Sequence, residues 1–326
     1  MEVKKAKREK LKVPIMITGA SGSGKTISAL LIAKGIVEKM FPDMSDEEQW
    51  GKVGVIDTEH KRALLYAGAT VADVFIGEFL HLDFESPFTV SNYIKAFNLM
   101  KESGVEVIVV DSISHAWSGE GGILEQVESI TEGNSAKSMG AWNKVKPLEK
   151  EFLKLVTGNS VYVIATSRSK QAYDFDKGEN GKTKIVKMGL KPDQKDALEY
   201  EFAIALRMDQ DHIAESTKDN SNMFDAPFRV TTEVGHKIFD WSDQGIDLEK
   251  QRRDLILEIV GISEESPSKK QVYEAMMSKT NGRKLDDLPI KSLKNLKAML
   301  EKVEDAEPSE TEQGELFDSK KPPEKK

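Results

Sequence analysis

Cysteine is absent from this chain of 326 residues, which excludes disulfide bonds and metal sites built on thiolates. Histidine is scarce, and the five histidines include no pair at the spacing of a zinc-binding helix. No apolar run approaches the ~20 residues that a membrane-spanning helix needs. The basic stretch at residues 1–12 also has no apolar core like that of a signal peptide. These absences predict a cytoplasmic protein without a membrane contact.

Positive charge is in the minority, with 55 acidic against 47 basic residues and a net charge of −8. A protein that binds nucleic acid through its overall charge would be basic, so any such surface in this chain has to be local. The length suffices for one large α/β domain and a smaller appendage.

One stretch near the start organises the rest of the chain. An apolar strand at residues 13–17 leads into Gly-Ala-Ser-Gly-Ser-Gly-Lys-Thr at 19–26, and a helical run follows at 27–35. This is the P-loop pattern G-x-x-x-x-G-K-[ST], and the strand, loop and helix context argues against a glycine-rich turn that binds nothing. Backbone N–H groups of such a loop surround the phosphates of a nucleoside triphosphate. The predicted ATP-binding residues are Gly19, Ser21, Gly22, Ser23, Gly24, Lys25 and Thr26.

Within this motif, Lys25 is the cation predicted to reach the β- and γ-phosphates, and the Thr26 hydroxyl is predicted to ligate Mg²⁺. A second ligand comes from the strongest buried-strand signal, the apolar run at 105–110, which ends in Asp111. This is a Walker B pattern, whose carboxylate supports the Mg²⁺. ATP and Mg²⁺ are therefore the predicted cofactors.

A third apolar run, at 52–56, is followed by Asp57-Thr58-Glu59-His60. We expect this strand beside the P-loop strand, where a carboxylate past its end would lie at the ligand site of a parallel sheet. Many P-loop ATPases carry a catalytic glutamate directly after the Walker B aspartate, but Ser112 stands there in this chain. Glu59 is the predicted general base. The alternative is that Asp57 and Glu59 cap a helix predicted at 61–68.

Weaker patterns complete the predicted sheet and its helices. Apolar residues at helical spacing predict helices at 89–100, 123–130 and 141–155, and further strands are predicted at 73–77, 160–166, 201–207, 212–217, 228–233 and 237–241.

Together, the segments 19–26, 55–60 and 107–112 resemble those of the recombinase A (RecA) family in order and approximate spacing. The resemblance covers residues 10–245 and is closest to the short RecA-like ATPases that bacteriophages encode alongside single-strand annealing proteins. It implies an α/β fold, a RecA-like P-loop core with a mostly parallel central sheet flanked by helices. It also implies a DNA-stimulated ATPase that acts on single-stranded DNA in recombination or replication, assembled as a homo-oligomer in a ring or filament.

The resemblance implies two further parts of the active site. The RecA family usually has a polar amide as γ-phosphate sensor at the end of the strand predicted at 160–166, and this chain has Thr166, Ser167 and Arg168 there. RecA-like oligomers also complete each site with a cation from the neighbouring subunit. Lys191 is the first candidate for that cation and Arg207 the second, with an ordinary surface charge as the alternative for both.

Polar and apolar residues alternate from 171 to 187 around Glu179-Asn180-Gly181, and Asn-Gly strongly favours a short β-hairpin. In RecA-like proteins this place in the chain belongs to the second DNA-binding loop. The alternative is a lysine-rich edge that stays solvated. The predicted DNA-binding residues are Lys170, Lys177, Lys182, Lys184 and Lys187.

The pattern changes after residue 246. Three amphipathic helical segments are predicted at 248–260, 268–277 and 288–303, followed by a charged stretch almost free of apolar residues. We therefore predict an ATPase core over 1–246, a small C-terminal helical appendage over 247–303, and a disordered charged tail over 304–326.

The tail contains Gln313, Leu316 and Phe317 in the order of the Q-x-x-L-F peptides by which bacterial replication proteins dock on the sliding clamp. The alternative is that Leu316 and Phe317 pack back on the helical appendage. A titration with the host clamp distinguishes the two, because Leu316→Ala weakens binding only if the peptide enters the clamp. A single-strand annealing or binding protein is the other predicted partner.

Two other functions remain open from the sequence. One is a ring helicase or helicase loader, which belongs to the same enzyme class. The other is a nucleotide-gated adaptor that recruits replication proteins and turns over little ATP.

Overall fold

The computed structural model describes residues 5–303 except 72, 159, 178–182, 195–197 and 281. Lys182 and the tail residues Gln313, Leu316 and Phe317 lie outside this part of the chain, so what was expected of them stays a prediction. The described residues form two compact units, one from Lys10 to Gln244 and one from residue 245 to residue 303 together with residues 5–9. No helix among the described residues is long and apolar enough to cross a membrane.

The first unit alternates strands with helices. Its strands are β1 (Pro14–Gly19), β2 (Val53–Asp57), β3 (Thr70–Val71), β4 (Val74–Phe75), β5 (Leu80–Asp83), β6 (Val107–Asp111), β7 (Tyr162–Lys177), β8 (Thr183–Pro192), β9 (Ile204–Met208), β10 (Ile213–Asp219) and β11 (Phe228–Arg229). Its helices are α1 (Lys25–Met40), α2 (Asp46–Trp50), α3 (Val90–Glu102), α4 (Ser114–Ser118), α5 (Ile123–Thr131), α6 (Ser138–Val156) and α7 (Thr232–Ser242).

The main sheet has the order β11-β10-β9-β1-β7-β6-β2-β5, and β8 pairs with the outer part of β7. All neighbours from β9 to β5 are parallel, while β10 and β11 are antiparallel additions at one edge. The expected place of β2 beside the P-loop strand was wrong, because β7 and β6 lie between β2 and β1. Strand β7 comes late in the chain, so its insertion depends on long-range pairing that no local pattern shows.

Side chains of the central strands alternate between two hydrophobic cores, one on each face of the sheet. Ile15 and Ile17 of β1 lie in the core that also holds residues of α1 and α7, whereas Met16 lies in the core formed with α3 and α6. This alternation is the normal consequence of strand geometry. The predicted fold class, a mostly parallel sheet flanked by helices, is confirmed.

Three predicted elements differ from those in the structure. The segment 73–77 contributes only β4, which pairs with β3 in a separate two-stranded sheet, and the main-sheet strand β5 was not predicted. The expected helix at 61–68 is a 3-10 helix over Arg62–Tyr66. Residues 237–241 are helical, because they belong to α7. Val234 and Ile238 of α7 are one helical turn apart and both are buried in the first core.

The second unit contains α8 (Leu248–Glu264), α9 (Pro267–Ser278) and α10 (Ile290–Leu300), so the three predicted helices are present. They enclose a core of their own, which includes Leu255, Ile259 and Leu293. Ser266 begins α9 as a side-chain cap and Pro267 occupies its first turn, as expected of a helix start.

Helices α1 and α7 approach each other at two glycines. A Cβ placed on Gly235 would lie 2.3 Å from the Ile32 carbonyl oxygen, and one placed on Gly35 would lie 2.0 Å from the Thr232 carbonyl oxygen. Any side chain at these positions would therefore push the two helices apart. The contact matters for function because α1 begins at the P-loop.

We predict that Gly235→Ala destabilises the first unit by about 1–3 kcal/mol, the usual cost of overpacking. Gly140→Ala is the matched control, since Gly140 lies in α6 with no atom within 4 Å of its added Cβ. That change should stabilise by about 0.5–1 kcal/mol. Urea unfolding followed by tryptophan fluorescence measures both, because all four tryptophans lie between residues 10 and 244. Equal midpoints for the two variants would contradict the close packing.

Candidate active site

The P-loop connects β1 to α1 through the five residues 20–24, two of which are left-handed glycines. Gly22 has a φ of 82° and Gly24 a φ of 86°, a conformation that costs most other residues roughly 1–2 kcal/mol. Gly24 is the N-cap of α1, and having no side chain it offers no cap to the free N–H groups of the first turn. The N–H groups of this turn therefore remain available to an anion, and the helix dipole adds to their attraction.

Lys25 is a cation without a carboxylate partner among the described residues. Its Nζ donates to the carbonyl oxygens of Gly19 and Ala20, at 3.0 and 2.8 Å. Burial lowers the pKa of Lys25, while the nearby Asp111 and Glu59 act in the opposite direction. A phosphate at this position would supply the missing counter-charge, so Lys25 suits the role predicted for it.

Asp111 lies at the end of β6 and is almost fully buried. Thr26 Oγ1 donates to Asp111 Oδ2 and Thr166 Oγ1 donates to Asp111 Oδ1, each at 2.5 Å. Burial raises the pKa of Asp111 against the effect of these two hydrogen bonds. The structure thus brings together the two predicted Mg²⁺ ligands.

The Thr26 hydroxyl and the Asp111 carboxylate are the oxygen ligands that Mg²⁺ prefers. No group of three or more His, Cys, Asp or Glu side chains within the described residues is arranged to hold a metal. A Mg²⁺ ion at Thr26 and Asp111 would therefore depend on phosphate oxygens and water for its other ligands, as is usual in sites that bind it with a nucleotide.

Glu59 follows β2 and has little exposed surface. Its carboxylate accepts a bidentate pair of hydrogen bonds from Arg168, with the Nε to Oε1 distance at 2.7 Å and the second bond from Nη2 to Oε2. Ser112 Oγ donates to Oε1 at 2.9 Å. Burial alone would raise the pKa of Glu59, but the hydrogen bonds and charge of Arg168 outweigh it, and the pKa is lowered. Glu59 is therefore an anion with a defined orientation.

The capping role considered for the two acidic residues applies to Asp57 alone. Its carboxylate accepts from the backbone N–H groups of Glu59 and Ala63, at 2.7 and 3.0 Å, and contacts His81 Nε2 at 3.2 Å. Asp57 thus fixes the backbone that carries Glu59. The Glu59 side chain is left for the site.

Sequence reasoning missed a polar network behind Glu59. Thr58 Oγ1 contacts His115 Nδ1 at 2.7 Å and accepts from the Ser112 N–H at 2.8 Å. The His115 ring stacks on Phe88 with centroids 4.7 Å apart, and burial lowers its pKa. The only signal in the sequence was a histidine soon after the Walker B strand. Its partners come from distant segments, so the network needed the three-dimensional structure.

Most of the predicted site residues line one cavity of about 670 Å³. Lys25, Thr26, Glu59, Asp111 and Arg168 line one part of it, and the size is typical of small-molecule sites. The other part is more apolar and had no candidate from the sequence. It is lined by residues that include Leu31, Leu65, Tyr66, His212, Arg229 and Val230.

The DNA-binding candidates are on the predicted hairpin, which the structure confirms as the antiparallel pair β7 and β8. Lys170 and Lys177 belong to β7, and Lys184 and Lys187 to β8. The trans candidate Lys191 also lies on β8, where its backbone is opposite Lys170. The other trans candidate, Arg207, donates to Glu215 at 2.6 Å on the adjacent strand.

Comparison with known proteins indicates the family of this chain. A family model described as AAA domain matches residues 11–230, which includes every element of the site. The search of curated proteins gives no match. Among solved structures, one similar chain is a KaiC-like protein from the hyperthermophilic archaeon Pyrococcus horikoshii, at 15% identity and a TM-score of 0.32. The match covers 68% of this chain and 87% of the other, and it is too distant to indicate what this chain binds.

We predict that Asp111→Asn raises the unfolding midpoint of the first unit when nucleotide and Mg²⁺ are absent. The ionised carboxylate is disfavoured by burial, whereas an amide of equal size keeps both threonine contacts. Asp57→Asn is the control, because β2 and β6 pair these two buried aspartates side by side. Losing acceptors for backbone N–H groups should cost that variant about 1–3 kcal/mol. Thermal unfolding measures both variants. Destabilisation by Asp111→Asn would contradict the interpretation that the Asp111 charge is unfavourable when no metal is bound.

Proposed function

We propose, since this chain belongs to the AAA domain family of P-loop ATPases, that it is a Mg²⁺-dependent, DNA-stimulated ATPase acting on single-stranded DNA in phage-type recombination or replication. The observation that carries the proposal is the convergence of three groups on one cavity. These are the Lys25 cation, the Thr26 and Asp111 pair, and the Glu59 carboxylate. Phosphoryl transfer to water needs these three functions, namely phosphate binding, metal support and proton acceptance.

Each group has one role in the proposed reaction. Lys25 and the P-loop N–H groups hold the β- and γ-phosphates, and Thr26 and Asp111 hold Mg²⁺, which when bound would neutralise charge on these phosphates. Glu59 orients a water molecule and accepts its proton as the water oxygen bonds to the γ-phosphorus. The bond from the γ-phosphorus to the bridging oxygen breaks, and ADP and phosphate are the products.

The DNA part of the proposal is supported by the charge of the hairpin formed by β7 and β8. Residues 170–191 contain six lysines and three acidic residues in a chain whose net charge is −8. Phosphate backbones bind such segments electrostatically, without a requirement for sequence.

The end of the hairpin nearest the main sheet contacts the candidate active site. Arg168 lies on β7 and contacts Glu59. The Arg168 N–H donates to Ser114 Oγ at 2.9 Å, and the Asp193 N–H, just after β8, donates to the Arg168 carbonyl at 2.6 Å. DNA bound to the hairpin would therefore act on β7, whose Arg168 bonds to the proposed catalytic base Glu59. This contact is how DNA binding could stimulate hydrolysis.

Assembly, partners and location belong to the same proposal. A homo-oligomer would supply Lys191 of a neighbouring copy to the site, and the tail motif would bind a sliding clamp in the cytoplasm of a bacterial host. A ring helicase or loader would share the chemistry and differ in unwinding duplex DNA. A nucleotide-gated adaptor would bind ATP with little turnover.

The experiment that tests the function is ATP turnover with and without single-stranded DNA. We predict that DNA raises the turnover rate, and that Glu59→Gln lowers it about 10²–10⁴-fold while ATP still binds, as expected for loss of a general base. Lys25→Ala should also weaken ATP binding, because its charge acts on the bound phosphates. Glu102→Gln, a change at an exposed carboxylate at the end of α3, is the control.

Normal hydrolysis by Lys25→Ala would overturn the ATPase assignment. Normal hydrolysis by Glu59→Gln would remove only Glu59 from the mechanism. Turnover without any response to DNA would leave an ATPase but favour the adaptor or another substrate.

For the hairpin, we predict that replacing Lys182, Lys184 and Lys187 with Ala weakens binding to all single strands alike. The slope of log K against log salt should flatten by about 2, since each phosphate contact contributes about 0.7 on single strands. Replacing Lys144, Lys150 and Lys154, three exposed lysines of α6, is a control of equal charge. An equal change of slope in both triple variants would indicate a general charge effect and not a site on the hairpin.

A further inference from the structure

The carboxylate assigned as general base is already engaged by the protein. Glu59 Oε1 accepts from Arg168 Nε at 2.7 Å and from Ser112 Oγ at 2.9 Å, and Oε2 accepts from the other guanidinium nitrogen. Both lone-pair directions of Oε1 are thus used. A carboxylate in a bidentate pair with arginine is stabilised as an anion, so it has a reduced tendency to accept a proton from water.

Arg168 lies in the cavity where the phosphates of a nucleotide would bind. It lines this cavity together with Lys25 and Thr26, and its backbone on β7 is opposite Gly19, the first residue of the P-loop. Its side chain is 46% exposed, compared with 8% for Glu59. Glu59 and an incoming γ-phosphate would therefore compete for one guanidinium, since arginine binds carboxylate and phosphate with the same bidentate geometry.

Lys25 and Arg168 both have hydrogen-bond partners within the protein. Lys25 bonds to the carbonyl oxygens of Gly19 and Ala20, and Arg168 bonds to Glu59, so each cation is satisfied by a protein group. The Arg168 backbone is held on both sides, by Ser114 Oγ and by the Asp193 N–H. A change of partner then needs only rotation of the Arg168 side chain, while β7 keeps its place.

We propose that Arg168 alternates between two partners, Glu59 in the absence of a γ-phosphate and the γ-phosphate when ATP is bound. The move to the phosphate releases Glu59 to accept the proton of the attacking water. ADP lacks the third phosphate and leaves the ion pair intact. Arg168 is therefore a positioning residue for the base and determines the preference for a triphosphate over a diphosphate. This inference rests on the ATPase function proposed above.

Binding of ATPγS and ADP to a double-mutant cycle tests the proposal without relying on turnover. The four proteins are the wild type, Glu59→Gln, Arg168→Ala and the double variant, each measured by calorimetry with Mg²⁺ present. Glu59→Gln should tighten ATPγS binding about tenfold and leave ADP binding unchanged, because an amide holds Arg168 less strongly than a carboxylate does. Arg168→Ala should lose most of the preference for ATPγS over ADP.

The cycle also separates partner exchange from simple repulsion between Glu59 and the phosphate. If Arg168 stayed on Glu59 with ATPγS bound, it would mask that repulsion, and Glu59→Gln would tighten binding more when Arg168 is absent. Partner exchange predicts the reverse, a larger tightening when Arg168 is present. An equal or larger effect in the Arg168→Ala background overturns the proposal.

Two further variants control for charge and folding. Arg62 Nη1 lies 3.9 Å from Glu59 Oε2 and is exposed, so Arg62→Ala tests whether any nearby cation gives the same coupling. We expect Glu59→Gln to tighten ATPγS binding by the same factor in the Arg62→Ala background as in the wild type. If that tightening were reduced as much as in the Arg168→Ala background, the role would not be specific to Arg168. Arg168→Lys, which keeps the charge without the bidentate geometry, should retain part of the triphosphate preference and serves if Arg168→Ala does not fold. Failure of the wild type to bind either nucleotide would instead refute the ATPase function.

Discussion

The candidate active site depends on the parallel arrangement of four strands, β1, β7, β6 and β2. Because these strands run in the same direction, their carboxyl ends lie at one edge of the sheet, and the residues that follow them are neighbours in space. The register shows this directly, since Gly19 pairs with Arg168 and Asp57 pairs with Asp111. Segments that are far apart in sequence are thereby brought to one cavity with no need for long loops.

The same edge concentrates charge in a buried place, and each charge is satisfied in a different way. Asp57 accepts backbone N–H groups, Asp111 accepts threonine hydroxyls, Glu59 binds Arg168, and Lys25 donates to carbonyl oxygens. Only the contacts of Asp57 are purely structural. A bound nucleotide and its metal would replace the contacts of the other three groups. These contacts keep the three side chains ordered before the nucleotide binds, and burying exchangeable charges lowers the stability of the folded protein.

Local patterns predicted much of this structure, and long-range pairing explains the rest. The P-loop, α1, the Walker B strand and the hairpin at 171–187 each have a signal within a few consecutive residues. The position of β7 between β1 and β6 has none, because it depends on pairing with β1, which lies more than one hundred residues earlier in the chain. Segment 237–241 was mistaken for a strand because a short apolar run fits the spacing of either a strand or a helix, and burial of Val234 and Ile238, one helical turn apart, favours the helix.

The position of Glu59 also shows how the proposed base could be regulated. A glutamate directly after Asp111 would extend from β6, the strand that holds the metal ligand, whereas Ser112 stands there and donates to Glu59 from that side. Glu59 extends from β2 and meets Arg168, which comes from β7, the strand that continues into the hairpin. The proposed proton acceptor and the proposed metal ligand thus lie after different strands. A ligand on the hairpin or a γ-phosphate in the cavity could therefore act on Glu59 through Arg168 while Asp111 keeps its two threonine contacts.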